Sequence, residues 1–498
     1  MKDHDRPNFL FIITDQQRRD SLGCYGNQHV RTPCLDGLAR DGVCFDNHFV
    51  TNVVCSPSRA SLLTGRYPNR HGLNSNGCML PLSEITVAET FRQNGYRTAA
   101  AGKVHLSPHE AKLEKQSPES RAWWEAGRRL PLPYYGFEEV QLAVAHGPGD
   151  YADYYLDLMK IDPALPALIY EENALARSGA PASWKSAIPE QYHSSTWVAD
   201  KSIDYINRFA AEDDPFFLFA SFPDPHFPYC PPAPWCDMYD AGAVPMPNRS
   251  RQEVDTASEE LQRRWKQFEE WIGCHALDMP DAHIREIIAH TYGMVSLIDK
   301  NVGRILDGLK TAGLEDDTVV VFMSDHGEHL GDHHLIYKCV VFDELIRVPS
   351  VWRFPGRFPA DHRVSGFSSM IDVMPTLLNL AGIPAPPGLQ GESLTDALAG
   401  KDWAGRRFVL IENDDVVASP ALAEQAFSRT LRTEKYSINV YSTHSDGELY
   451  DLEADPGQLR NVWSDPAYSS AKSDLLVQLV RYSAAATFDA TNVALGEV

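Results

Sequence analysis

No stretch of the chain approaches the ~20 consecutive apolar residues that a membrane-spanning helix needs. The apolar run nearest the N-terminus, Phe9-Leu10-Phe11-Ile12-Ile13, is too short and wrongly flanked for a secretory signal peptide. A disulfide framework is missing as well: the nine cysteines are an odd number and follow no spacing pattern. Together these absences predict a reduced, cytoplasmic protein with no membrane partner. Positive charge is scarce. Lys and Arg number 45 against 68 Asp and Glu, a net charge of −23. Such a surface repels nucleic acid and anionic lipid, so neither is expected as a partner. An anionic small molecule would need a local basic pocket. Internal repeats and low-complexity tracts are absent too.

What is present reads as an ordinary globular chain. Its 498 residues, 43% hydrophobic and 23% charged, are enough for two or three domains. Residues 8–14 form a continuous apolar run, the pattern of a strand buried on both faces, and it ends at Asp15-Gln16. Residues 316–326 repeat the pattern: Val319–Met323 leads into Ser324-Asp325-His326. Polar residues at the carboxyl ends of such strands lie at the ligand edge of an open α/β sheet. Asp15, Gln16, Asp325 and His326 therefore make a candidate four-ligand metal site. Its oxygens suit Ca²⁺ or Mg²⁺, and the imidazole leans towards Mn²⁺. His329, His333 and His334 read as imidazoles behind that site or at the surface rather than as a second metal centre.

Further elements follow in chain order. Residues 86–95 predict a helix ended by Gly95, and 96–101 a short strand leading into Gly102-Lys103-Val104-His105. Residues 107–200 are rich in Trp and Tyr but poor in strand pattern, the composition of a lid or packing insertion. Residues 197–210 and 283–309 read as amphipathic helices. The buried strand at 215–222 runs into Asp224-Pro225-His226-Phe227-Pro228, where flanking prolines hold His226 in a fixed loop. A helix at 372–381 precedes a Pro-rich linker at 384–388. Beyond 396, short strands at 408–411, 427–431, 436–441 and 448–452 and a helix near 468–485 predict a small antiparallel-sheet subdomain. The expected division is a catalytic α/β domain over 1–395 and an α+β subdomain over 396–498.

The most distinctive run is Cys55-Ser56-Pro57-Ser58-Arg59, followed by Ala60-Ser61-Leu62-Leu63-Thr64-Gly65. Arg59 sets an always-charged fork of donors close to the sulfur. Pro57 predicts a stiff turn at Ser56, with a packed helix beginning at Ser61. A thiolate phosphatase loop places five residues between its Cys and Arg. Here the sixth residue after Cys55 is Ser61, so that chemistry is excluded.

The run resembles the signature of the type I sulfatases, C-x-P-S-R-x-x-L-x-T-G, at every specified position. The resemblance extends from residue 8 to about residue 462. Gly102-Lys103-Val104-His105 is similar to the family's G-K-x-H element, and Pro225-His226-Phe227-Pro228 to its P-H-x-P run. Lys338, ahead of Glu344 and Arg347-Val348-Pro349, is similar to its sulfate-contacting lysine. The closing segment Gly447–Pro456 matches as well. The metal pairs depart from the commonest Asp-Asp…Asp-Asn set in carrying Gln16 and His326.

The resemblance implies an alkaline-phosphatase-like fold, a large and mostly parallel mixed sheet sandwiched by helices. It implies that a formylglycine-generating enzyme oxidises Cys55 to Cα-formylglycine, whose hydrate is the nucleophile. One divalent metal, Ca²⁺ with Mn²⁺ or Mg²⁺ as alternatives, would sit among Asp15, Gln16, Asp325, His326 and the side chain at 55. Arg59, Lys103, His105, His226 and Lys338 would be catalytic, with Asn76, Lys103, His226 and Lys338 contacting a small-molecule sulfate ester. A homo-oligomer is compatible with this reading. Two rivals stand beside sulfate-ester hydrolysis: a phosphonate monoester or phosphodiester hydrolase on the same scaffold, and a catalytically silent binding paralogue. Phosphonate hydrolases typically carry hydroxyl residues where this chain has Lys103 and His105.

Overall fold

The structure is a computed structural model and describes residues 6–144, 149–212, 214–273, 275–338, 340–414 and 427–487. Among the described residues thirteen strands form two sheets. The larger contains β1 (Asn8–Thr14), β2 (Val43–Phe49), β3 (Arg97–Gly102), β4 (Glu139–Leu142), β5 (Phe216–Phe222), β6 (Thr318–Ser324), β7 (Arg347–Val348), β8 (Ser350–Arg353) and β9 (His362–Ser369). Its order is β4-β3-β5-β1-β6-β8-β2-β7, with β9 also paired to β2. The run β4-β3-β5-β1-β6 is parallel throughout, and β8 joins β6 antiparallel. This is the large, mostly parallel mixed sheet that the resemblance implies.

The continuous apolar strands are explained by what covers them. Every residue of β1, β5 and β6 is buried. Successive side chains of a strand point to opposite faces. Thus Phe9, Phe11 and Ile13 join one core, and Leu10 and Ile12 join the other. The first core includes Ala60, Leu62 and Leu63 of the helix Cys55–Thr64 and Met374, Leu377 and Leu378 of the helix Val373–Leu380. The second takes in the helix Ser194–Phe209 and the long helix Asp281–Thr311, whose Val295, Ile298, Val302 and Ile305 form the expected apolar stripe. Each fully buried aliphatic or aromatic side chain contributes roughly 1.5–3 kcal/mol relative to exposure.

Two features differ from the sequence reading. The helix begins at Cys55, not at Ser61, and all ten of its residues are buried. Pro57 sits in the first turn, where a missing N–H costs nothing because that donor has no intrahelical acceptor. The aromatic stretch also supplies a strand: β4 pairs in parallel with β3, and Trp124, Tyr134, Tyr135 and Phe137 pack into the first core.

The smaller sheet is an antiparallel meander of β10 (Phe408–Asn413), β11 (Ser428–Thr433), β12 (Tyr436–Tyr441) and β13 (Gly447–Asp451). Leu410, Leu431, Ile438 and Leu449 meet Leu475 and Leu479 of the helix Ser469–Thr487. Arg432 of β11 ties this sheet to the larger body through Asp343, at 2.8 Å. Among the described residues no helix is long and apolar enough to cross a membrane.

Candidate active site

Strand register brings the distant polar pairs together. β1 lies between β5 and β6, with Thr14 opposite both Phe222 and Ser324. The three chains therefore leave the sheet at one edge. Asp15 N–H donates to the Asp224 carbonyl (3.2 Å), and Asp325 N–H donates to the Thr14 carbonyl (3.1 Å). Asp15 and Asp325, 310 positions apart in the chain, thus begin side by side.

The helix Cys55–Thr64 points its N-terminus, the positive end of its dipole, at this edge. Burying Ser58 and Arg59 of this helix is tolerated because they find partners. Ser58 Oγ donates to the Asp325 carbonyl (2.5 Å), and Arg59 Nε donates to Asp325 Oδ2 (2.7 Å). Arg59 also reaches Asp15 Oδ2 (3.2 Å), the Lys103 carbonyl (2.8 Å) and Ser221 Oγ (2.8 Å). One wholly buried guanidinium thereby fixes both carboxylates relative to the helix that carries Cys55. A lysine lacks the fork for this.

Asp15, Cys55, Asp325 and His326 each offer a ligand atom, and these atoms lie within 4.8 Å of one another. Cys55 Sγ is 3.5 Å from Asp15 Oδ1 and 3.1 Å from His326 Nε2. His326 Nδ1 lies 2.9 Å from the Gly327 carbonyl; as the donor there, it leaves the Nε2 lone pair facing the cluster. Burial, with Lys338 next, pushes the His326 imidazole down to about 4, so it is neutral and able to ligate. Burial and Asp15 push the Cys55 thiol up to about 11, which keeps an unmodified sulfur protonated at neutral pH. Gln16 donates its amide N–H to Glu328 and its backbone N–H to Asp325 Oδ1 (3.0 Å). Its Oε1 is buried without a hydrogen-bond partner among the described residues.

β3 delivers the next two groups. Gly102 has φ +100°, and a Cβ there would lie 1.8 Å from the Ser221 carbonyl oxygen, so the close approach of β3 to β5 requires glycine. Lys103 follows, with Nζ 2.5 Å from Asp15 Oδ2. His105 sits in the left-handed region at φ +58°. The buried Glu119 carboxylate holds this turn by accepting N–H bonds from His105 (2.8 Å), Leu106 (2.8 Å) and Ser107 (3.2 Å) and the Tyr134 hydroxyl (2.7 Å). The His105 ring stacks on His109 at 3.9 Å. Burial, then His109 and Lys103, hold the His105 imidazole well below its ordinary value, in the neutral form.

From the loops after β5 and β6 come His226 and Lys338. Lys338 Nζ lies 2.9 Å from Cys55 Sγ, 3.1 Å from His226 Nε2 and 3.2 Å from His326 Nε2. His226 Nδ1 pairs with the Phe227 carbonyl at 2.6 Å, leaving Nε2 towards Lys338. Burial disfavours the Lys338 charge, yet the Cys55 sulfur, Tyr337 and Asp15 around it hold its pKa above the ordinary value. A cleft of about 760 Å³ opens over Cys55, with Asn76, Lys103, His105, His226 and Tyr337 on its walls and residues between 108 and 117 along one side. Asn76 also accepts the Ser56 N–H at its Oδ1 (3.1 Å), which anchors the first turn of the Cys55 helix. His329 and His333 are fully buried, not superficial. His329 Nδ1 pairs with Glu344 at 2.8 Å, and His333 bridges Glu253 and Glu344.

Sequence reasoning missed Glu119, Glu328, Ser221 and His109. Glu119 lies in an irregular stretch with no pattern to mark it. Glu328 had a faint signal, an acid three residues beyond Asp325.

A family model described as sulfatase matches residues 7–383, and one described as the C-terminal region of N-sulphoglucosamine sulphohydrolase matches residues 331–485. An ulvan-active sulfatase from Formosa agariphila is 30% identical over 486 residues, spanning 95% of this chain and 80% of that protein. The multifunctional alkaline phosphatase superfamily protein PehA from Trinickia caryophylli is 30% identical over 491 residues, spanning 94% and 93%. Among solved structures, a phosphonate monoester hydrolase from Silicibacter pomeroyi superposes with a TM-score of 0.81 at 25% identity, covering 98% of this chain and 97% of that one.

Proposed function

The chain belongs to the sulfatase family, and from that membership we propose that it splits sulfate monoesters into alcohol and inorganic sulfate using Cys55 oxidised to Cα-formylglycine and one divalent cation beside it. As a member it is a sulfuric ester hydrolase; the nucleophile, the cation and the residue roles are the proposal. The observation that carries it is the convergence on one side chain. Cys55 Sγ meets Asp15 Oδ1, His326 Nε2 and Lys338 Nζ at 3.5, 3.1 and 2.9 Å.

The donor set fits a cation: two buried carboxylates, an imidazole with its Nε2 lone pair turned inward, and a buried amide oxygen lacking a hydrogen-bond partner among the described residues. Asp15, Gln16, Asp325 and His326 would hold it, with the side chain at 55. It would supply Lewis-acid stabilisation of sulfate charge. The oxygen-rich set favours Ca²⁺, with Mn²⁺ or Mg²⁺ as alternatives.

The sulfur at 55 stands in for a hydroxyl of the hydrated aldehyde, which is the attacking group. Arg59 orients that residue and both carboxylates. Lys103 and Lys338 face the sulfate oxygens and offset the charge that builds on them. His226 Nε2, beside Lys338 Nζ, supplies the proton that the departing alcohol oxygen requires. His105, held neutral, accepts the proton of the second hydroxyl at a ring nitrogen as sulfate is expelled. The catalytic unit spans residues 1–395 in this reading, with an α+β subdomain over 396–498. A reduced, cytoplasmic setting, in keeping with the scattered cysteines, and maturation by a formylglycine-generating enzyme belong to this reading.

Phosphonate monoester hydrolysis is the second reading, supported by the likeness to the Silicibacter enzyme. The test is protein coexpressed with a formylglycine-generating enzyme, its Cys55 peptide weighed by mass spectrometry. It is then assayed side by side on an aryl sulfate and an aryl phosphonate monoester. Faster sulfate release is expected, and faster phosphonate turnover reverses the order. An unmodified thiol in protein from the native host, with neither ester cleaved, would favour a silent paralogue.

A further inference from the structure

Position 16 holds an amide where a second carboxylate would be the simpler choice for a cation, and Glu328 is placed to explain it. Gln16 is 1% exposed and Glu328 2%. The Gln16 backbone lies at φ +63°, a conformation that a side chain bearing a Cβ adopts only at a cost. Two bonds hold it there: its N–H to Asp325 Oδ1 at 3.0 Å, and its amide Nε2 to Glu328 Oε2. Glu328 is itself fixed, since its Oε1 accepts the N–H of Leu330 at 3.3 Å and the N–H of Tyr337.

A planar amide cannot turn its nitrogen to one partner without turning its oxygen elsewhere. With Nε2 on Glu328, Oε1 is left buried and without a hydrogen-bond partner among the described residues. A buried amide oxygen in that condition is unfavourable unless something binds it. The neighbouring Asp15, Asp325 and His326 belong to the cluster whose donor atoms lie within 4.8 Å of one another.

We infer that Glu328 is a positioning residue for the cation: it locks the Gln16 amide so that Oε1, not Nε2, faces the metal. The inference rests on the cation site proposed above. Position 16 then acts as a neutral oxygen ligand whose orientation is set from behind by a carboxylate. The same tip Gly327-Glu328 that follows the ligand pair Asp325-His326 thereby orients a ligand on the other strand.

Isothermal titration of Ca²⁺, and separately Mn²⁺, into the metal-stripped full-length protein tests this. Partners that orient metal ligands typically change affinity 10–100-fold. Glu328→Gln is expected to weaken Ca²⁺ by about that factor, because a second amide leaves Gln16 free to flip. Gln16→Ala should weaken it by a similar amount. The double variant should be no worse than either single one, because Glu328 acts through Gln16. Losses that multiply would overturn the inference, as would an unchanged Kd in Glu328→Gln. Should Glu328→Gln fail to fold, Glu328→Asp keeps the charge and withdraws the carboxylate by one methylene. Weaker binding by that variant supports positioning, and wild-type affinity refutes it. A wild-type protein that takes up neither ion sinks the cation reading itself and this inference with it. Wild-type binding with unaltered variants sinks the inference alone.

Discussion

Replacing Glu119 with Gln should damage both stability and catalysis, although Glu119 does not line the cleft. Its Oε1 accepts Leu106 N–H, Ser107 N–H and the Tyr134 hydroxyl, and its Oε2 accepts His105 N–H. A Gln side chain keeps one of those oxygens and sets an NH₂ against the donor that loses the other. Losing the charge-assisted component and leaving one buried N–H unmet costs about 2–4 kcal/mol together. At about 2.1 cal/mol/K of unfolding entropy per residue, a chain of 498 residues converts that to a fall of roughly 2–4 °C in Tm if it unfolds as one unit. The deficit has a pH signature. Burial opposes the Glu119 charge, but His109, Tyr134 and the Leu106 N–H around it hold its pKa below the ordinary value. A carboxylate depressed in the folded state stabilises above its unfolded pKa and loses that contribution as pH falls. The gap between Glu119→Gln and wild type is therefore largest near neutrality and closes below about pH 4.3. Catalysis suffers because the turn carries His105. A displacement of about 1 Å is worth about 10²-fold, so kcat/KM should drop ~10–100-fold at 25 °C, where the variant is still folded. Thermal unfolding across pH and steady-state sulfate release measure the two effects. A variant with lower Tm but kcat/KM within about twofold of wild type would refute the claim that this carboxylate positions His105.

Three further outcomes are expected. His226→Ala should lower kcat/KM on an alkyl sulfate by about 10²–10⁴-fold but on a nitrophenyl sulfate far less, since that leaving group needs no proton; equal losses would take the acid role from His226. Gly102→Ala should abolish soluble folded protein or cost more than about 4 kcal/mol, because its Cβ would stand 1.8 Å from the Ser221 carbonyl oxygen and 3.0 Å from Val198 Cγ2; a normal Tm would contradict the close β3–β5 approach. Chelation should leave the protein folded, since Arg59 and Lys103 already pair with Asp15 and Arg59 with Asp325. Ca²⁺ added back at 100 times its Kd should then contribute about 2.7 kcal/mol of stability, and a Tm indifferent to the ion would argue against the site.

The parts of this fold legible in the sequence were those with one dominant physical cause. β1, β5 and β6 are covered on both faces, so their interiors are apolar, and the runs 8–14, 215–222 and 319–323 announce themselves. Their tips were legible for the same reason, because polarity begins where cover ends. β2, half-exposed at Asp46 and Asn47, and β9, with His362, Arg363 and Ser365, carry no clean period. Their pairing is long-range and left no local trace. Reading Pro57 as a residue that keeps Ser56 out of a helix misplaces the start of the Cys55 helix, because a first-turn proline is compatible with one. Glu119, with no pattern to mark it, and Glu328, with only a faint one, are hard to read in the sequence for a different reason. A buried carboxylate that accepts backbone N–H bonds looks, in sequence, like any surface acid.

The charge pattern shows why the site must be this deeply enclosed. The chain carries a net charge of −23 and meets a sulfate ester that is also an anion. Within the cluster three permanent cations, Arg59, Lys103 and Lys338, stand against two carboxylates, Asp15 and Asp325, and all five are at most 3% exposed. A charge of one sign buried without a partner would be prohibitive, so these groups are interlocked: Asp15 bonds to Arg59 and Lys103, and Asp325 to Arg59. Lys338 sits beside the same cluster: burial opposes its charge, and the Cys55 sulfur, Tyr337 and Asp15 around it sustain that charge. Three cations against two carboxylates leave one positive charge over among these five side chains. In a chain whose outer field repels anions, that local excess, fixed by burial and little screened by salt, would draw in the anionic substrate of the proposed reaction.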